Sequence, residues 1–162
     1  MGSRSSITNA DLAYIAGFLD GDGSLMLQLK KRSDSTRGAR FMATICLYQD
    51  SRHEAPLTWI RERIQCGYVS RRNDGMTELR INGFSQVRRT LEALLMHVRF
   101  KKKQALLLIR ACKMLEKQTL RTLNSRDMRK IVDLLLLIQN ENYVSKRRKT
   151  REELHNILGL TP

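Results

Sequence analysis

Asp20 and Asp22 stand two residues apart, each followed by glycine, in the run Asp20-Gly21-Asp22-Gly23. Two carboxylates on a glycine-rich turn suit a hard cation. Mg²⁺ takes oxygen ligands, usually one or two protein carboxylates, with waters and a substrate phosphate completing the shell. A capped turn with solvated acids is the other reading of the same string. Cys46, Cys66 and Cys112 have no CxxC spacing and read as reduced thiols of a reducing, intracellular compartment.

The elements that must position the two acids are legible from periodicity. Leu12, Ile15, Ala16 and Leu19 recur at i, i+3, i+4 and i+7, which predicts a helix with one apolar face. Thr8 or Asn9 can cap its start, and Asp11 adds negative charge at the positive end of the helix dipole. Ala13 and Gly17, four apart on another face, carry no bulk, so this helix can be pressed from two sides. The glycines then end it and pass the chain into a strand near Ser24.

From there the period becomes two. Leu25, Leu27 and Leu29 point one way and Met26, Gln28, Lys30 and Arg32 the other. A polar turn over 33–38 precedes a return strand over about 40–48, with Phe41, Ala43, Ile45 and Leu47 on one face and Arg40, Met42, Thr44 and Cys46 on the other. A short helix over about 54–64, two strands around Asp74-Gly75, and a helix from Ser85 to about Val98 follow. Further helices are predicted over 105–116 and 125–140. Thr150 and Glu153 form a capping box for a last one, reaching Leu158, after the basic stretch 145–149. The second strand pair repeats the design of the first. Such antiparallel ribbons can lie in a DNA major groove, where Arg and Lys read guanine and Gln reads adenine.

Composition bounds the partner. The 162 residues suffice for a real core in one domain, spanning 1–162, with a core over about 8–118 and added C-terminal helices and a basic loop over 119–162. Thirty Lys and Arg against sixteen Asp and Glu give a net charge of +14, which favours a polyanion, above all nucleic acid. No apolar run approaches a transmembrane span, and no basic stretch carries an amphipathic anchor, so no membrane partner is expected.

Residues 15–23, IAGFLDGDG, resemble the nine-residue signature of the LAGLIDADG homing endonucleases. DGDGS also resembles the DxDG[ST] motif of haloacid-dehalogenase-type phosphatases. That motif follows a buried β-strand and needs a later acidic pair, whereas helical periodicity precedes it here, and Asp127 and Asp133 are too far apart and lack the glycine. The element order αββαββα, the basic alternating strands and the Lys101-to-Ala105 stretch are similar to the single-motif branch of the endonuclease family. The resemblance implies an α+β fold: a saddle-shaped antiparallel sheet backed by helices. It also implies a homodimer whose signature helices pack together through Ala13 and Gly17, with Asp20 bracing the pair.

The resemblance further implies a Mg²⁺-dependent endonuclease that cuts both strands of a long pseudo-palindromic double-stranded DNA site, leaving 3′ overhangs, with a role in intron mobility. By position in the motif, Asp22 is the metal-binding acid and the Gly21 carbonyl an accessory ligand. Gln49 and Lys101 match peripheral catalytic residues, and His53, with Arg52 beside it, falls where the family carries arginine. DNA contacts are expected from Gln28, Lys30, Arg32, Arg40, Thr44, Ser70, Arg72, Glu78 and Arg80, and phosphate contacts from Lys146, Arg147 and Arg148. The alternative on the same fold is an RNA maturase for intron splicing or a catalytically silent DNA-binding protein.

Overall fold

The computed structural model describes residues 6–32, 38–142 and 148–161. Helix α1 (Asn9–Asp22) starts at Thr8, whose Oγ1 accepts the Asp11 N–H while the Asp11 carboxylate accepts the Thr8 N–H in return. Strands β1 (Gly23–Lys31) and β2 (Ala39–Asp50) form the first antiparallel pair. A 3-10 turn (Ser51–His53) and helix α2 (Ala55–Ile64) lead to β3 (Tyr68–Arg71) and β4 (Met76–Asn82). Helices α3 (Phe84–Leu94), α4 (Lys102–Glu116), α5 (Ser125–Glu141) and α6 (Arg151–Leu158) complete the chain. The expected αββαββα order is present, followed by three further helices.

The sheet order is β1-β2-β4-β3, so each hairpin contributes one inner and one outer strand. Leu25, Leu27 and Leu29 of β1, Phe41, Ala43, Ile45 and Leu47 of β2, and Leu79 and Ile81 of β4 turn inward. They share one apolar core with Ile15 and Leu19 of α1, Leu57 and Ile60 of α2, Val87 and Leu91 of α3 and Leu108 of α4. Truncating one such buried Leu or Ile to Ala costs about 2–5 kcal/mol. Among the described residues no helix packs across the opposite face of the sheet. The apolar-in, polar-out alternation of the strands follows from that one-sided cover.

Several boundaries differ from the sequence reading. Ser85 does not cap α3: the helix begins one residue earlier, at Phe84, behind Gly83, whose φ of 95° turns the chain. The same helix stops at Leu94 rather than Val98. Strand β2 also runs past Tyr48 to Asp50, because its pairing with β4 continues through Gln49 opposite Thr77 and Asp50 opposite Met76.

Edge strand β1 is closed by the C-terminal helices rather than by another strand. Asn142 Nδ2 donates to the Leu25 carbonyl at 3.0 Å, and Lys149 Nζ donates to the Leu29 carbonyl at 2.5 Å. Unpaired strand edges template further pairing, and these side chains cover this one. No helix among the described residues is long and apolar enough to cross a membrane.

Two further contacts fix the second hairpin. Gly67 enters β3 at φ 86°, where an added Cβ would lie 2.8 Å from the Arg80 carbonyl and 2.9 Å from Ile81 Cγ1. The Glu54 carboxylate accepts from Arg71 Nε at 2.9 Å and from Thr77 Oγ1 at 2.7 Å, tying the hairpin to the chain between β2 and α2. Those bonds, the Arg71 pair foremost, hold the Glu54 carboxyl down from 4.5 to about 2. A depressed carboxyl stabilises the fold above its ordinary pKa, and that contribution disappears as pH falls through the folded value. The melting-temperature gap between wild type and Glu54→Gln should therefore be widest above about pH 5 and close toward about pH 2, read by thermal melts across that range. Gly67→Ala combines a disfavoured φ with a backbone clash and should destabilise the fold by about 2–4 kcal/mol in denaturant titration.

Candidate active site

The last turn of α1 brings its acids to an exposed tip. The Gly23 N–H caps the helix on the Leu19 carbonyl, and the chain leaves directly into β1. Glycine is required at 23 because a Cβ there would sit 2.7 Å from that carbonyl oxygen. Any larger residue would force the strand away from the helix end and carry Asp22 with it.

The two acids have different surroundings. The Asp20 carboxylate faces its own chain: Oδ2 accepts the Arg99 N–H at 2.7 Å and Oδ1 accepts the Lys101 N–H at 3.0 Å. The turn before α4 presents two backbone donors, and the Asp20 carboxylate satisfies both. Asp22 is exposed, and no hydrogen bond or ion pair engages its carboxylate among the described residues. A carboxylate at the negative end of a helix dipole, without a protein cation, is poised for an external one.

Lys101 stands where α4 begins, and its Nζ donates to the Asp20 carbonyl at 2.6 Å. An ammonium has three donors, so two remain for other oxygens. Lys101 and Gly21 line one cleft of about 770 Å³, together with Ser24, Met26, Gln28, Lys30 and Tyr48 of the first hairpin and Gln104 of α4. The sheet register explains how the end of β2 reaches this place. The first ladder begins with Gly23 opposite Leu47, so the end of β2 leaves that ladder beside the end of α1. The Gln49 Oε1 accepts the Asp50 N–H at 2.9 Å.

His53 is exposed on the 3-10 turn. Its neighbour Arg52 is committed locally, with Nε and Nη2 on the two Asp50 oxygens at 3.0 and 2.7 Å. That guanidinium, with the Arg52 N–H, holds the Asp50 carboxyl far below the usual range. Neither side chain therefore offers an unengaged guanidinium at this point.

On the open sheet face the rows are Lys30 with Arg40, Gln28 with Met42, Met26 with Thr44 and Asn82, Ser24 with Cys46, Arg80 and Tyr68, and Tyr48 with Glu78 and Ser70. Lys30, Arg40 and Arg72 are exposed, and Gln28, Ser70 and Arg80 are half-buried. Arg32 lies just past the end of β1 and is half-buried. Thr44 and Glu78 depart from the expected role. Thr44 is 1% exposed and its hydroxyl donates to Asn82 Oδ1 at 2.8 Å. Glu78 is 8% exposed and pairs with Arg80 at 3.1 Å and Arg72 at 3.8 Å. Neighbouring strands cover both, so they orient Asn82, Arg80 and Arg72 rather than reach outward. Arg148 is exposed and donates to the Asn142 carbonyl at 3.0 Å, while Lys146 and Arg147 lie outside the described residues.

The expected DNA contacts leave out Asn82, Tyr48 and Tyr68, which share this face. Strand parity held the signal for Tyr48, since 44, 46 and 48 share one side of β2. Its hydroxyl lies 3.4 Å from Ser24 Oγ, and burial raises the phenol pKa above its ordinary value.

No group of three or more His, Cys, Asp or Glu side chains able to hold a metal exists among the described residues. One chain offers Asp22 and the neighbouring Gly21 carbonyl at an exposed tip. That donor set fits Mg²⁺ as a partial shell, with the remaining oxygens coming from elsewhere.

Known proteins resemble this chain throughout. The DNA endonuclease I-CvuI of Chlorella vulgaris is 28% identical over 137 residues, 85% of this chain and 81% of that protein. A crystal structure of I-CvuI in complex with the I-CreI target, in 2 mM Mg and with the DNA not cleaved, superposes with a TM-score of 0.80 at 26% identity. That match covers 94% of this chain and 97% of that one. The archaeal intron-encoded homing endonuclease I-Vdi141I, complexed with DNA, shares the fold at a TM-score of 0.79 and 18% identity over 93% and 96% of the two chains. The LAGLIDADG homing endonuclease I-SmaMI, bound to cleaved DNA, matches at a TM-score of 0.71 and 19% identity, over 96% of this chain but only 50% of its own. The profile of the LAGLIDADG endonuclease family covers residues 15–115, from the apolar face of α1 through the lysine turn to the end of α4. The chain belongs to the LAGLIDADG endonuclease family.

Proposed function

We propose that this chain is a site-specific DNA endonuclease that acts as a symmetric homodimer with Mg²⁺ and cuts both strands of a long pseudo-palindromic site. The observation that carries this reading is the single unengaged carboxylate of Asp22 at the tip of a helix whose outer face is bare. Ala13, Gly17 and Gly21 are exposed, and a Cβ on Gly17 or Gly21 would meet nothing within 4 Å. A glycine inside a helix costs about 1 kcal/mol relative to alanine, and nothing in the single chain calls for it at 17. Close approach of a second helix backbone supplies the reason. Two copies would then place two Asp22 side chains together, giving the pair of acids that one chain lacks.

Chain length supports the same reading. This chain spans nearly all of the I-CvuI chain but half of I-SmaMI, so two copies correspond in size to the longer protein. The net charge of +14 and the basic outer face suit a duplex, with Lys30, Arg40, Arg72 and Arg80 directed at its backbone and base edges. When bound, Mg²⁺ stabilises charge on the scissile phosphate and lowers the pKa of an attacking water. Asp22 and the Gly21 carbonyl hold that ion, and Lys101 places its two remaining donors toward phosphate oxygens. Gln49 orders water at the end of β2. Strand ends with 3′ overhangs and a role in intron mobility are part of the proposal through family membership.

One observation favours a second reading, an RNA maturase or a catalytically silent DNA-binding protein. Arg52 is locked to Asp50 and His53 carries no guanidinium, so a phosphate-facing arginine is missing from this turn. Cleavage assays separate the two. On a randomised or genomic DNA library, the wild-type chain with Mg²⁺ should give discrete double-strand breaks at one sequence, and EDTA should abolish them. Asp22→Asn should keep DNA affinity within about a factor of three, because backbone cations dominate binding. The same variant should slow cutting by about 10³-fold or more. Cutting by Asp22→Asn at the wild-type rate would remove the metal assignment, and tight binding with no cut by the wild type would favour the maturase or silent binder. Gly17→Leu should sediment as a monomer where the wild type sediments as a dimer; an unchanged profile would exclude this helix face as the interface.

A further inference from the structure

Tyr48 is among the polar groups of the cleft that the site as described leaves without a role. Tyr48 lies on the open sheet face near the end of β2. It follows Leu47, the partner of Gly23 in the β1–β2 ladder, and it lines the same cleft as Gly21, Ser24 and Lys101. It is therefore the point at which the surface facing the duplex meets the reaction centre.

Its hydrogen bonding leaves a donor available. The Tyr48 hydroxyl and Ser24 Oγ are 3.4 Å apart, a long contact in which either oxygen can donate. The neighbouring Cys46 thiol is directed to Glu78 Oε2, 3.7 Å away. The Cys46 sulfur also interacts with the Tyr48 hydroxyl; with Ser24 donating to the phenol oxygen, that weak sulfur acceptor yields the phenol proton to a stronger one in the cleft. The cationic side chains lining that cleft are Lys30, Lys101 and Lys149, with Glu141 at its far side. Lys101 is tied to the helix end by one bond, and Lys149 is engaged by the Leu29 carbonyl. An anionic oxygen is the acceptor these surroundings favour, and in a bound duplex the backbone is where such oxygens lie.

We infer that Tyr48 is a substrate-positioning contact of the cleavage site: its hydroxyl, oriented by Ser24, donates to the phosphodiester next to the scissile one and sets the scissile phosphate against Asp22. The inference rests on the endonuclease reading and adds to it a residue outside the family signature. Tyrosine suits the task because a rigid ring carries the donor across the step between strand and helix tip with two side-chain torsions to fix. A lysine there would bind phosphate as a flexible point charge with no fixed direction.

The test uses the full chain and its own cleaved target. Tyr48→Phe keeps the ring and removes only the hydroxyl. Affinity for the target in Ca²⁺ should stay within about twofold, while single-turnover cleavage in Mg²⁺ should fall by about 10- to 100-fold, the range of one hydrogen bond to a charged group. Ser24→Ala should show a smaller loss of the same kind, and supplies the measurement if the first variant folds poorly. Targets carrying one methylphosphonate on either side of the scissile bond then identify the contact. At the contacted position the neutral group should slow the wild type and slow Tyr48→Phe no further. Wild-type cleavage rates in Tyr48→Phe would overturn the inference, and so would a loss that adds fully to every methylphosphonate, since a purely structural role predicts that pattern. If the wild-type chain cuts no DNA, the endonuclease reading itself fails and the inference falls with it.

Discussion

The grip of Asp20 on the turn before α4 is the constraint on which the rest of the site depends. One carboxylate takes the N–H groups of Arg99 and Lys101, and the Lys101 ammonium returns a bond to the Asp20 carbonyl. These three bonds join residues about eighty positions apart in sequence. They fix the start of α4 against the end of α1. The N–H groups at the start of a helix need acceptors, and Asp20 satisfies one of them from another element. The consequence is chemical: a lysine and an exposed carboxylate, Lys101 and Asp22, are held at the same tip without being paired to each other.

That arrangement explains why two similar acids have different fates. Asp20 is half-buried and engaged by its own chain, while Asp22, two residues on, points off the end of the helix. Two residues along a helix correspond to a rotation of about 200°, so the side chains leave on nearly opposite sides. The glycines complete the separation. Gly23 allows the strand to start hard against the Leu19 carbonyl, and Gly21 keeps the tip free of bulk. A turn that resembles a two-acid cluster in sequence is, in three dimensions, one structural acid and one free acid.

The sheet serves the tip in the same economical way. Its inner face is closed by helices and its outer face is left to polar and basic side chains. Inside that outer face Thr44, Cys46 and Glu78 are covered and bond to their neighbours Asn82 and Arg80. A polar layer satisfied in this way holds the exposed arginines and asparagine in defined directions. Buried polar groups left unpaired would instead cost stability. Direction matters here because reading base edges depends on geometry, whereas phosphate attraction alone needs only charge.

Much of this was legible in the chain. The 3.6 period of α1, the period of two in the strands, the Asp74-Gly75 turn and the Thr150–Glu153 capping box are local signals, and local hydrogen-bond chemistry realises them. The signature over 15–23 identifies the family because it compresses a packing need and a metal-binding need into nine adjacent residues. Three things were decided only by tertiary structure. Which acid is free depended on where the turn at 99–101 docks, a contact between residues about eighty positions apart. Which outward residues are accessible depended on strand neighbours, so Thr44 and Glu78, outward by parity, are covered. The place of Tyr48 depended on packing between elements: Gly23 pairs with Leu47 beside the end of α1, and Tyr48 lines a cleft with Gly21 and Lys101. Periodicity fixes the face a residue takes within its own element. Only the packing of one element on another determines what it faces.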